Sequence, residues 1–86
     1  MRYSVVWAEE ARNDLTRIWL SASDRSIVQR AGDEIDRQLT RDAEGCGTDL
    51  PPDRLLAVPP LAVMYRVSPD DRVATVLQVW YRAPKN

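Results

Sequence analysis

The apolar positions of this chain change period along its length, and the changes divide it into elements. Tyr3, Val5 and Trp7 alternate with Arg2, Ser4 and Val6 in a run rich in β-branched and aromatic residues, which predicts a strand over residues 2–7. From Ala8 the spacing lengthens. Ala11, Leu15, Ile18 and Trp19 fall on one side of a helix predicted over residues 8–20, and Glu9 and Glu10 suit the positive end of its dipole. Ser21-Ala22-Ser23-Asp24 interrupts the pattern and offers Ser23 or Asp24 as the cap of a second helix. In that helix Ile27, Ala31, Ile35 and Leu39 recur every fourth residue and Val28 widens the stripe, while Gln29, Arg30, Asp33, Asp36, Arg37 and Arg41 lie off it. So short a connection between two amphipathic helices favours an antiparallel hairpin.

Residues 43–53 hold two of the three glycines and two of the six prolines, and read as a long loop. Three strands follow, Arg54–Val58, Leu61–Ser68 and Arg72–Arg82, separated by Pro59-Pro60 and Pro69-Asp70-Asp71. The tail Ala83-Pro84-Lys85-Asn86 is expected to fray. The order is β-α-α-β-β-β, an α+β domain in which a helical hairpin packs on one face of a mainly antiparallel four-stranded sheet. On Leu61–Ser68 the set Leu61, Val63, Tyr65 and Val67 should face the helices, leaving Ala62, Met64, Arg66 and Ser68 on the other face. On the last strand Val73, Thr75, Leu77, Val79 and Tyr81 oppose Ala74, Val76, Gln78, Trp80 and Arg82, with Tyr81 on the core side. The second face is mixed in polarity, so either something covers it or it binds a partner.

Length and charge narrow this picture. The 86 residues support one core, hence a single domain over 1–86. Twelve basic residues, eleven of them Arg, stand against thirteen acidic ones, a net charge of −1, so nothing compels nucleic-acid binding. The halves differ: residues 1–49 hold seven basic and ten acidic side chains, residues 50–86 five and three. Any basic patch therefore belongs to the sheet half. The single cysteine, Cys46, with no histidine in the chain, offers neither a disulfide nor a Cys/His zinc site, and an intracellular protein without metal or other cofactor is expected. Acidic residues interrupt the N-terminal apolar run early, so neither a signal peptide nor a membrane span is expected, and the chain is placed in the cytoplasm.

The ordered set Tyr3-Ser4-Val5-Val6-Trp7, Glu10-Ala11, Leu15, Ile18-Trp19, Arg54-Leu55-Leu56, Val63-Met64-Tyr65-Arg66-Val67 and Val76-Leu77-Gln78-Val79 leading into Tyr81-Arg82 resembles the RelE/ParE superfamily of type II toxin–antitoxin systems across nearly the whole chain. The resemblance implies a small toxin neutralised by an antitoxin segment that wraps it. It also implies a target, messenger RNA on the ribosome for some members and DNA gyrase for others. Three positions depart from the pattern: Ala62 stands where many members carry arginine, Tyr81 near a common histidine, and Ala8 where a Ser or Thr cap is frequent.

Cleavage through a 2′-hydroxyl needs a base, a cation for the crowded phosphate and an acid for the leaving oxygen. Without histidine, the candidates are Arg66 and Arg82 for charge, Tyr81 as acid, and Glu44 or Asp53 as base if the loop folds over the sheet. The same arginines also read as ordinary solvent-facing charges. Trp80, with Met64 and Gln78, forms the candidate antitoxin- or partner-binding set, because an aromatic face can stack a base or cap a protein contact. Trp7 and Trp19 read as core and core-edge residues, and Cys46 between two glycines as an exposed, flexible position. Three functions stay open: a toxin, catalytically reduced or gyrase-directed; a non-catalytic protein-binding module of the same fold; and a homodimer joined through the mixed face and Trp80.

Overall fold

The computed structural model describes residues 2–82. Among them the chain forms β1 (Ser4–Trp7), α1 (Glu9–Ser21), α2 (Arg25–Asp42), β2 (Thr48–Leu50), β3 (Asp53–Val58), β4 (Leu61–Ser68) and β5 (Val73–Tyr81). The sheet order is β1-β5-β4-β3-β2, antiparallel throughout except for the parallel pair β1–β5. Both helices lie on one face, as the periodicity predicts. None of the described helices is long and apolar enough to cross a membrane. The tail expected to fray lies outside the described residues.

The sheet has five strands rather than the predicted four. The extra strand, β2, sits inside the segment read as a loop. Its three residues, Thr48-Asp49-Leu50, are all exposed and show no alternation, so no hydrophobic pattern announces it. Tertiary pairing with β3 creates it, in the register Thr48↔Leu55, Asp49↔Arg54 and Leu50↔Asp53.

Local chemistry sets the helix ends. Of the two candidate caps Asp24 is used: its carboxylate accepts from the backbone N–H groups of Ser26 at 3.1 Å and Ile27 at 3.4 Å. The Ser26 hydroxyl also donates to it, and these bonds hold the Asp24 carboxyl below its ordinary value. Ala8, at the corresponding position of α1, makes no side-chain cap, and only Glu9 and Glu10 favour that terminus. The buried stripe of α2 is Val28, Ala31, Ile35 and Leu39, whereas Ile27, predicted within it, is exposed. Ile27 lies in the first turn of α2 and falls outside the stripe set by Val28, Ala31, Ile35 and Leu39.

The stripe meets Leu56, Leu61, Val63, Tyr65, Ala74, Val76 and Val79 from the sheet, with Ala11 from α1. Here the predicted alternation fails along part of β5. Between β4 and β5 the register steps from Met64↔Gln78 to Tyr65↔Val76, skipping Leu77. This β-bulge reverses the phase of the strand, since a one-residue shift exchanges its faces. Ala74 and Val76 are fully buried, where Val73, Thr75 and Leu77 were expected, while Val79 keeps its predicted place. In Val73-Ala74-Thr75-Val76-Leu77 both alternating sets can be buried, so the sequence does not choose between them.

Two stability predictions follow from this packing. Val76→Ala should lower unfolding free energy by about 2 kcal/mol and Leu77→Ala by about 1 kcal/mol or less, because only the first opens a cavity in the core. Unfolding in urea checks the order, and a larger loss at Leu77 would contradict the bulge. Gly32 lies inside α2, and a Cβ added there would meet nothing within 4 Å. Gly32→Ala should therefore raise stability by up to about 1 kcal/mol through helix propensity, read in the same assay.

Candidate functional site

The face of the sheet away from the helices carries the predicted partner-binding residues. Met64 pairs with Gln78 and Ala62 with Trp80, so Met64, Gln78 and Trp80 occupy one contiguous patch of β4 and β5. Trp80 is 45% exposed. Val6 and Leu50, both exposed, extend the same face toward its two edges, and Leu55 lies beside Met64. Among the described residues the patch is largely apolar, with Arg66 and Asp53 at its far end.

The predicted catalytic residues do not converge. Arg66 stands opposite Thr75 and donates from Nε to Asp53 Oδ1 at 2.7 Å. Its side chain is exposed while that of Asp53 is nearly buried, so the cation neutralises the carboxylate that was the candidate base. Tyr81 pairs with Leu61 and shares the helix-facing side with Val79. Arg82 follows β5, its backbone N–H donating to Pro60 O at 2.8 Å. Six residues, about 20 Å of extended strand, separate the level of Pro60 and Arg82 from that of Arg66. Glu44, the other candidate base, accepts a hydrogen bond from the Tyr3 hydroxyl. That bond, with burial, raises the Tyr3 pKa from its ordinary value. Tyr3 and Glu44 thus tie the first strand to the segment after α2.

A second polar centre, which the sequence reading did not single out, surrounds Tyr65. Its hydroxyl lies 2.7 Å from Cys46 O and 2.9 Å from Ala43 O, and accepts from Arg54 Nε at 3.3 Å. Arg54 Nη2 donates to Cys46 O at 3.2 Å, and Nη1 pairs with Asp49. Cys46 is half-buried rather than exposed, its Sγ 3.6 Å from the Tyr65 hydroxyl. Gly47, at φ +76°, permits this close approach: a Cβ there would lie 2.6 Å from Leu55 O. Tyr65 and Arg54 therefore clamp the segment after α2 against β3 and β4. The centre is structural, since buried polar groups bonded to backbone fix a loop.

The sequence reading also missed a groove of about 690 Å³ between α1 and α2 along the outer side of β1, floored by Val5, Trp7, Leu15 and Val28, with Trp19 at its rim. Trp7 is half-buried and packs against the core, as expected, whereas Trp19 is exposed at this groove.

Burial, then the hydrogen bond with Cys46, raises the Tyr65 pKa to about 12 against the lowering by Arg54. The folded chain thus holds this proton above pH 10 more tightly than the unfolded chain. The resulting stability is fully present below pH 10 and is lost as pH rises from about 10 to about 12. Tyr65→Phe should cost about 1–3 kcal/mol at neutral pH by orphaning its backbone partners, and should flatten that alkaline loss. Denaturation at pH 8 and pH 11 measures both effects, and an unchanged alkaline slope in Tyr65→Phe would reject the assignment.

No protein-family model matches the sequence, and no curated protein is detectably similar to it. Solved structures are similar in fold. A chain of the RelBE2 toxin–antitoxin complex from Mycobacterium tuberculosis superposes with a TM-score of 0.78 at 21% identity, over 95% of this chain and 100% of that one. A chain of the chromosomal ParDE system of P. aeruginosa gives 0.64 at 19% identity, over 95% and 98%. The isolated E. coli RelE toxin gives 0.62 at 14% identity, over 96% and 87%. With two helices on one face of a five-stranded sheet, matched over almost its whole length, this chain has the RelE/ParE toxin fold.

Proposed function

We propose that this chain is the toxin component of a type II toxin–antitoxin pair, acting in the cytoplasm and neutralised by a small antitoxin. The likeness in fold over 95% or more of the chain supports the reading, because the matched structures include two toxin–antitoxin complexes and an isolated toxin. The observation that carries its mechanism is the largely apolar patch around Met64, Gln78 and Trp80, with Arg66 already neutralised by Asp53. Such a surface suits a protein contact better than a polyanion, whose recognition rests on multiple free cations. We therefore favour growth arrest by binding a protein target, with DNA gyrase the candidate that the family resemblance suggests, over messenger cleavage on the ribosome.

Induced expression should arrest growth, and co-expression of a small neighbouring gene product should relieve the arrest. Ribosome-dependent messenger cleavage should be weak or absent, while gyrase supercoiling should fall. Efficient cleavage abolished by Arg82→Ala would overturn the mechanism. Absence of arrest, with a monodisperse dimer in sedimentation, would overturn the toxin reading in favour of a structural homodimer.

Trp80→Ala should weaken binding to the antitoxin or to the target by about 2 kcal/mol if its ring is buried at the contact. Calorimetry against each partner locates the loss, and unchanged affinity for both would remove Trp80 from the interface.

A further inference from the structure

The face of the sheet away from the helices carries opposite charges at its two ends. At one end Arg82 continues the ladder level with Pro60, and alternation with Gln78 and Trp80 puts its exposed side chain on the open face. At the other end Ser68 pairs with Val73 and alternates with Arg66, on the same face. The Ser68 hydroxyl donates to Asp71 Oδ2 at 3.2 Å, which holds that carboxylate on the open side. Neither Arg82 nor Asp71 enters an ion pair among the described residues.

The row Met64–Gln78 lies midway between these ends, since four residues of the chain separate Met64 from Pro60 and four separate it from Ser68. Toward Arg82 the next row on this face is Ala57, Ala62 and Trp80, a broad ring beside two small side chains. Toward Asp71 it is Arg66, Thr75 and Val6. Arg66 bonds Asp53 through Nε, yet its side chain is 57% exposed, so the plane of the guanidinium is available for an aromatic ring to stack on.

These rows are self-complementary. A half-turn about an axis running across the strands along Met64–Gln78 exchanges the two ends of the face. Laid over a second copy in this way, Trp80 meets Thr75 and Arg66 of the other chain, and Arg82 meets its Asp71. The contact is isologous, so each pairing occurs twice. Sheets stacked face to face lie about 10 Å apart, a spacing that such side chains fill. A net charge of −1 leaves little repulsion between copies.

We propose that the open face docks a second copy of this chain, antiparallel and face to face, and that the pair is a resting form in which the Trp80 patch is hidden from its target. The pairing stands on the geometry of the face, while its control of growth arrest rests on the toxin reading. The ends of the face set the register, and the apolar middle supplies the attachment.

Sedimentation velocity of the full-length protein from about 1 to about 100 µM should show a reversible monomer–dimer equilibrium. Asp71→Arg or Arg82→Asp should each weaken the dimer at least about tenfold, because like charges then meet twice. Trp80→Ala should weaken it to a similar degree, with circular dichroism confirming that each variant folds. Combining Asp71→Arg with Arg82→Asp should restore the dimer, and mixing the two single variants should produce a heterodimer. A chain that stays monomeric throughout, a dimer indifferent to the single reversals, or one that the double reversal does not restore would overturn the proposal. If the pair hides the patch, Asp71→Arg should arrest growth at a lower level of induction than the parent. Unchanged arrest with a weakened dimer would overturn the regulatory role and sustain the pairing. A restorable dimer with no arrest by any variant would sustain the pairing and reject the toxin reading. Arrest by a chain that never dimerises would do the reverse.

Discussion

The parallel pairing of β1 with β5 is the constraint on which the rest of the architecture depends. It brings Ser4–Trp7 beside Val73–Val76 across almost the whole sequence. The chain leaves β1 through α1 and α2 before entering the antiparallel strands, so both helices cover the same face. Among the described residues, covering one face twice leaves the other uncovered, and placing β1 beyond β5 leaves β1 at an edge. The open patch and the edge groove are two consequences of this one connection.

The bulge at Leu77 adapts that sheet to its core. It allows Val79 on one side of the irregularity and Val76 and Ala74 on the other to face the helices together. A regular strand would turn one of these groups outward. The same step sets the outer face, where Gln78 and Trp80 join Met64 beyond the bulge while Arg66 pairs with Asp53 at the far end. The groups with chemical potential are thus spread along the hairpin, and the apolar groups are concentrated. The proposed action by surface contact rests on this distribution of apolar and charged groups.

The Tyr65 centre solves a separate problem. After α2 the chain must leave the helix, cross to β3 and satisfy backbone carbonyls that neither helix nor sheet engages. The Tyr65 hydroxyl and the Arg54 guanidinium meet the carbonyls of Ala43, Cys46 and Gly47. This clamp also supports β2, since Arg54 pairs with Asp49 across the β2–β3 ladder. A buried tyrosine that looks like core packing in the sequence is therefore also a polar fastening.

Much of the fold was legible in the sequence because local periodicity carries it. The four-residue stripe of α2, the Asp24 cap and the alternation along Leu61–Ser68 express contacts with a single core face. The face-sharing of Met64 and Trp80 was legible for the same reason. Tertiary structure alone decided the parallel partner of β1, the existence of β2, the phase of Val73–Leu77 and the pairing of Arg66 with Asp53. Each depends on a neighbour distant in sequence, and where both alternating sets are apolar, or neither is, the local pattern has no preference for that neighbour to reveal.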